Sequence, residues 1–321
     1  MKDIGGYFNF HLEKKFPIYH KGIFLNSGRS CFEYICEAIN IKKIWFPSYI
    51  CSSLFSVINK LNIEISFYEV DSQLKPVLNF RELNDSDEKI LIVNYFGVND
   101  ELLEHYSKYK KNIIWDLTQS FFCKTNNEVL AFYSPRKFFG VPDGGILVGL
   151  EDGYKQLRLN QSTSSRECLH LLLRIDSGAK AGFKIYQKNE ERFSKEGMKS
   201  MSNITYNILQ TVDYEKARKQ RSTNYKYLLH KFECLNSLKL NSNCTPMIYP
   251  LFLNPQMATK LRENLLRKNI FIPVYWKGIE NWVPKKSNGI EISKKLLPIP
   301  IDHRYDLRDM KRIVKEIFNI L

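Results

Sequence analysis

The sequence predicts an α/β protein: a large, mostly parallel sheet covered on both faces by helices, followed by a smaller C-terminal α+β region. Three observations predict it. Short apolar runs of strand length alternate with helical patterns from Gly22 to Val148. A long, charged, helical stretch follows from about Gly153 to Leu235. Beyond Met247 the order changes to strand, helix, strand and final helix. Buried strands separated by helices are the signature of parallel sheets, whose ligands sit at the carboxyl ends of the strands.

The elements follow in order. Gly22-Ile23-Phe24-Leu25 reads as a first strand meeting the turn residues Asn26-Ser27-Gly28. Phe32, Ile35, Cys36 and Ile39 recur at i, i+3, i+4 and i+7, which predicts a helix. Lys43 to Phe46 is a strand, Pro47-Ser48 a break, and a helix runs to Lys60. Ile63 to Val70, Ile90 to Val93, Ile113 to Trp115, Val129 to Tyr133 and Gly145 to Val148 read as further strands. In the last part Met247 to Leu253 and Ile270 to Trp276 are expected strands. Met257 to Lys268 and the segment from Asp306 are expected helices.

Composition narrows the function classes. Hydrophobic residues make up 44% and charged residues 26%, the balance of an ordinary soluble chain. The opening Met1-Lys2-Asp3 leads to Lys14-Lys15 without an apolar core, so no leader is expected. The longest uncharged run, Ile44 to Asn59, contains Pro47 and is shorter than the roughly 20 residues a span requires. Seven cysteines form no CxxC pair, the usage of a reduced cytoplasmic protein, and no zinc site is expected. The net charge of +14 is scattered except for groups such as Lys216 to Arg221. It fits a basic surface or a small anionic substrate; neither a nucleic-acid nor a membrane partner is expected.

Three strand ends carry candidate chemistry. Asn26-Ser27-Gly28-Arg29-Ser30 opens a helix, whose free N–H groups suit a phosphate. Ser27 and Ser30 would add hydroxyl donors there or serve as plain caps. Asp116-Leu117-Thr118-Gln119-Ser120 follows a strand directly. Asp116 could hold a protonated ring nitrogen, with Gln119 at a ring oxygen, or it could form an Asx turn. The third end is Ser134-Pro135-Arg136-Lys137-Phe138-Phe139-Gly140 with Pro142-Asp143-Gly144-Gly145. Lys137 is expected in an apolar, aromatic setting beside the Arg136 cation, both of which would make it a nucleophilic amine, or else Arg136 and Lys137 point to solvent from a loop.

In this order the segments resemble those of the DegT/DnrJ/StrS-type sugar aminotransferases, which use pyridoxal 5'-phosphate (PLP) on the aspartate-aminotransferase fold (fold type I). Asn26 to Ser30 is similar to the family's Asn-Ser-Gly-Thr-Ala, and Phe46 to Tyr49 to its Pro-Ser-aromatic segment. Asn94-Tyr95-Phe96-Gly97 resembles His-Leu-Tyr-Gly. Asp116 and Gln119 fall on the acid and glutamine of Glu-Asp-Ala-Ala-Gln, and Lys137 with Gly144-Gly145 on Ser…Lys…Gly-Glu-Gly-Gly.

The resemblance implies a large PLP-binding domain over residues 1–200 and a small domain over 201–321. It implies that Lys137 forms the Schiff base and moves the α-proton while Asp116 keeps the pyridine nitrogen protonated. Ser27, Gly28, Arg29, Ser30 and Ser134 would surround the phosphate, and Cys51 stands where an aromatic residue stacks on the ring. It further implies a homodimer acting on a keto-sugar acceptor with an amino-acid donor such as glutamate, for surface polysaccharide synthesis. A lyase or dehydratase of the same fold, or a non-catalytic relative, is the alternative. Arg29 replaces a small Thr, Asn94 a His, and Met198-Lys199 stands near the place of a phosphate-binding Asn from the partner subunit.

Overall fold

The computed structural model describes residues 6–80, 88–126, 128–151 and 153–321. Met1 to Asp3, on which the expectation of no leader rests, lie outside them. The first strand, β1 (Ile23–Leu25), runs straight into helix α1 (Gly28–Ile39). Then come β2 (Lys43–Pro47), α2 (Phe55–Leu61), β3 (Glu64–Val70) and the short β4 (Pro76–Val77). The sheet continues with β5 (Lys89–Val93), β6 (Ile113–Asp116), β7 (Ala131–Tyr133) and β8 (Gly145–Val148), with α3 (Leu102–His105) between β5 and β6.

These strands form one sheet in the order β1-β8-β7-β6-β5-β2-β3-β4. The central pairs β3–β2, β2–β5, β5–β6 and β6–β7 are parallel. Strand β8 is antiparallel to both β7 and β1, so β1 points the same way as β7. The carboxyl ends of β1, β2, β5, β6 and β7 therefore lie along one edge of the sheet. Every residue of β6, β7 and β8 is buried, as a sheet covered on both faces requires. Asn40 (φ 58°) and Asn62 (φ 51°) end α1 and α2 in the left-handed conformation that asparagine tolerates.

Helices α4 (Leu169–Ser177) and α5 (Ala179–Lys195) form a hairpin, followed by α6 (Asn203–Leu209) and the long α7 (Tyr214–Phe232). The C-terminal part holds β9 (Ile248–Phe252), α8 (Pro255–Arg267), α9 (Asn288–Lys295), β10 (Leu296–Pro300) and α10 (Leu307–Phe318). Strands β9 and β10 make an antiparallel pair on which a second hydrophobic cluster is built from α7, α8 and α10. Met201, Leu209, Tyr214 and Ala217 pack instead into the cluster of the large sheet. Asp306 and Asp309 close α10 with a reciprocal capping box, which explains its clean start.

One expected strand is absent: Ile270 to Trp276 is irregular. Phe271 and Val274 are exposed, Pro273 has no N–H to donate, and Trp276 takes φ 57°. Its place beside β9 is taken by Leu296–Pro300, where Pro298 faces Pro250. Pro298 and Pro300 would weaken a strand inside a larger sheet, yet in a two-stranded ladder each can turn its missing donor outward.

Candidate active site

The sheet edge gathers the three strand ends. Asp116 is the last residue of β6 and is buried. Its Oδ1 accepts the Thr118 N–H at 2.9 Å, the Asx turn that the sequence allows. Oδ2 accepts no hydrogen bond among the described residues, so one carboxylate oxygen is available to a ligand. Burial and the Asp116 charge hold the neighbouring Cys31 thiol well above its usual range, so Cys31 stays a neutral thiol.

Lys137 lies in a tight turn after Ser134, and its Nζ donates to Thr118 Oγ1 at 2.8 Å. Phe138 and Phe139 beside it are buried, but Lys137 itself is exposed in the single chain. The expected apolar burial is thus corrected: the rings pack against Phe121 and Phe122, with the lysine on the open side. Arg136 is likewise engaged elsewhere, paired with Glu190 and lying 4.3 Å over the Phe193 ring.

Gly28 sits where α1 meets these groups. A Cβ on Gly28 would come within 2.9 Å of Thr118 Cγ2 and 3.7 Å of Ser134 Cβ, so the space beside it is one that only glycine leaves open. The N–H groups of Gly28 and Arg29, in the first turn of α1, have no partner among the described residues. Together with the Ser134 hydroxyl they form a cradle for an anion at a helix N-terminus.

The two serines of the first motif serve the helix instead. Ser27 Oγ caps α1 by accepting from Ser30 N at 2.9 Å and lies 2.8 Å from Ser30 Oγ. That pairing is the plain cap, one of the two readings the sequence allows, and it leaves one of the two hydroxyl protons for a ligand. Gln119 Oε1 accepts the Phe96 N–H at 3.0 Å, which leaves Nε2 for a ligand. Cys51 is half-buried and bonds Ser53 at 3.2 Å.

Arg29 departs most from the sequence reading. Its guanidinium donates to the carbonyls of Ser194 (2.5 Å), Phe193 (2.6 Å) and Glu196 (2.8 Å). These carbonyls lie at the end of α5 and just past it, where Arg29 adds a charged donor; that of Phe193 also accepts the Glu196 N–H. Its side chain therefore belongs to the α5 terminus rather than to the cradle. Burial lowers its pKa from the usual arginine value, against the opposing charges of Glu33 and Glu196. Asn26 reinforces the same seam, donating to Gly197 O and accepting from Lys199 N, both at 3.1 Å.

Sequence reasoning did not assign Thr118, which touches both the lysine and the cradle, nor the buried Asp143. The Asp143 carboxylate accepts from Ser202 N (2.9 Å), Ser202 Oγ (2.7 Å), Ser164 Oγ and Thr205 Oγ1. It anchors the end of the lysine segment to the N-terminus of α6. The signal was the Pro142-Asp143-Gly144-Gly145 run itself, whose acid needed partners once buried.

No protein-family model and no curated protein matches the chain. Solved structures do. The sugar aminotransferase CalS13 of Micromonospora echinospora matches over 92% of this chain and 86% of its own, with TM-score 0.62 at 13% identity. A DegT DnrJ EryC1 StrS aminotransferase of Brucella abortus covers 92% and 85%, with TM-score 0.61 at 14% identity. NtdA of Bacillus subtilis, solved with the cofactor PMP bound, covers 93% and 72%, with TM-score 0.62 at 12% identity. The chain has the fold of these aminotransferases, the α/β fold with a large mostly parallel sheet that the sequence predicts. Among the described residues no helix is long and apolar enough to cross a membrane, and no group of three acidic, His or Cys side chains could hold a metal.

Proposed function

We propose that this chain is a PLP-dependent aminotransferase that moves an amino group from an amino acid, with glutamate as donor, to the keto group of a sugar or sugar nucleotide. The observation that carries the reading is the convergence at one sheet edge of an amine, a free carboxylate oxygen and an anion cradle. The fold shared with sugar aminotransferases supports it, as does a neighbour solved with PMP.

The residues fit the cofactor. The cradle beside Gly28 is space that a Cβ would fill, and its donors suit a phosphate. Asp116 Oδ2 would accept a hydrogen bond from the protonated ring nitrogen, and Gln119 Nε2 would donate to a ring oxygen. When bound, PLP supplies an electron-withdrawing ring that stabilises negative charge on the substrate carbon. Lys137 contributes the amine nucleophile and then carries the proton at Nζ to and from that carbon. Thr118 Oγ1 holds Nζ in place. Surface polysaccharide synthesis as the pathway, a cytoplasmic setting and a homodimer belong to the same proposal.

The test is direct. The purified chain with added PLP should show a visible absorbance band that borohydride removes, leaving an adduct that peptide mapping places on Lys137. An adduct on another lysine, or none in a folded sample, would overturn the reading. Nitrogen-labelled glutamate then separates transfer from a lyase, which releases water and keeps no label in the product.

A further inference from the structure

Arg221 is among the largest fully buried side chains, 1% exposed, and it stands where the two hydrophobic clusters meet. Before it on α7, Tyr214 and Ala217 pack into the cluster of the large sheet; after it, Tyr225 and Leu228 pack into the C-terminal one. No carboxylate pairs with Arg221 among the described residues. Asp302, whose charge reaches it, is itself held by Arg304 at 2.6 and 3.0 Å. Burial moves the Arg221 pKa from 12.5 down to about 10, with Asp302 opposing, so the guanidinium is charged at neutral pH. A buried cation without a carboxylate destabilises a fold, and an apolar side chain of similar volume would pack as well.

The contacts of Arg221 give it another use. Nη1 donates to Met247 O at 3.0 Å and Nη2 to Phe138 O at 3.4 Å, with the guanidinium 4.7 Å over the Phe138 ring. Both partners lead to the site. Phe138 follows Lys137, whose Nζ donates to Thr118 Oγ1. The Met247 N–H donates to Phe96 O at 2.7 Å, and the Phe96 N–H to Gln119 Oε1 at 3.0 Å. Thr118 and Gln119 are adjacent in sequence, so the contacts close a ring. It runs from Lys137 through Phe138, Arg221, Met247, Phe96 and Gln119 to Thr118, and Arg221 is the one link supplied by α7.

We propose that Arg221 is a positioning residue for this site: by clasping the Phe138 and Met247 carbonyls it fixes the Lys137 amine relative to the Gln119 amide. It acts through the two backbone segments it joins. The planar guanidinium presents donors in a rigid fork, so it holds two carbonyls from distant parts of the chain at a set spacing. A lysine offers its donors from a single point on a flexible stem and imposes no such spacing. The inference rests on the cofactor reading for its purpose, while the clasp itself can be measured without cofactor.

The experiment uses the full chain with Arg221→Lys, which keeps a cation, and Arg221→Met, which keeps only bulk. In protein without PLP, trace acetic anhydride should label Lys137 at least about threefold faster in both variants, because Nζ is no longer held at Thr118. Peptide mapping should show the other lysines unchanged. With PLP added, the visible circular dichroism of the bound chromophore should fall by about half or more, since a loosened clasp lets the ring and the amine shift. Wild-type labelling and dichroism in Arg221→Lys would make Arg221 a packing cation and overturn the proposal, and the same signals in Arg221→Met would overturn it too. If the methionine variant does not fold, the lysine variant decides by the same two signals. Faster labelling in the variants of a protein that takes up no PLP would defeat the cofactor reading and leave the clasp on Lys137 standing.

Discussion

Lys137 and Thr118 are joined by a 2.8 Å hydrogen bond from Nζ to Oγ1, and the methyl of the same threonine faces the open side of Gly28. One β-branched side chain thus aims the amine and walls the cradle. Threonine is suited to this, because its χ1 is restricted and its two branches present different chemistry. Thr118→Val keeps the wall and removes the hydroxyl. The expected result is a fold stability within about 0.5 kcal/mol of wild type, since water replaces the partner of an exposed amine. PLP capture by Lys137 should fall several-fold. Urea unfolding and PLP titration measure the two, and normal capture would assign Thr118 to packing alone.

Asp116 divides its two oxygens between structure and site. Asparagine at this position can still accept the Thr118 N–H through Oδ1, so the turn survives. What it loses is the negative charge at Oδ2. Asp116→Asn should therefore leave the unfolding midpoint near wild type and lower turnover about 100-fold or more, roughly 2.7 kcal/mol in the barrier. Near-normal rates would reduce Asp116 to the Asx turn.

Much of this was legible in the sequence because a parallel sheet brings successive strand ends to one edge. Asp116 ends a strand and Gly28 and Lys137 follow strands closely, and no tertiary knowledge was needed to bring them together. The commitments that were not legible are long-range. Arg29 reaches carbonyls more than 160 residues ahead, and nothing in Asn26 to Ser30 announces the end of α5. Leu296 to Pro300 was obscured by its two prolines.

The Arg29 seam makes its own prediction. Arg29→Ala leaves three carbonyls at the end of α5 without their charged donor. A loss of about 1–3 kcal/mol is expected, reduced from the sum of three bonds by partial exposure. Amide exchange should quicken around residues 193–199, with the PLP dissociation constant shifted less than about threefold. A large loss of PLP affinity with unchanged exchange would return Arg29 to the phosphate.

Acid should weaken the fold through His20. Its ring is buried, stacks on Tyr133 at 3.7 Å, and donates from Nε2 to Phe121 O at 2.6 Å, which fixes the neutral tautomer. Burial, aided by the nearby Lys124 charge and opposed by the bond to Phe121, moves its pKa from 6.5 down to about 4. Between those values the unfolded chain binds the proton and the folded chain does not, so the unfolded state gains as pH falls. The stabilising contribution is complete above pH 6.5 and is lost progressively down to about pH 4, where the accumulated cost is at most about 3 kcal/mol. His20→Gln keeps a donor for the Phe121 carbonyl and cannot titrate. Urea midpoints at neutral pH and near pH 5 should fall for wild type and change less for the variant. Equal slopes would show that His20 does not govern this window.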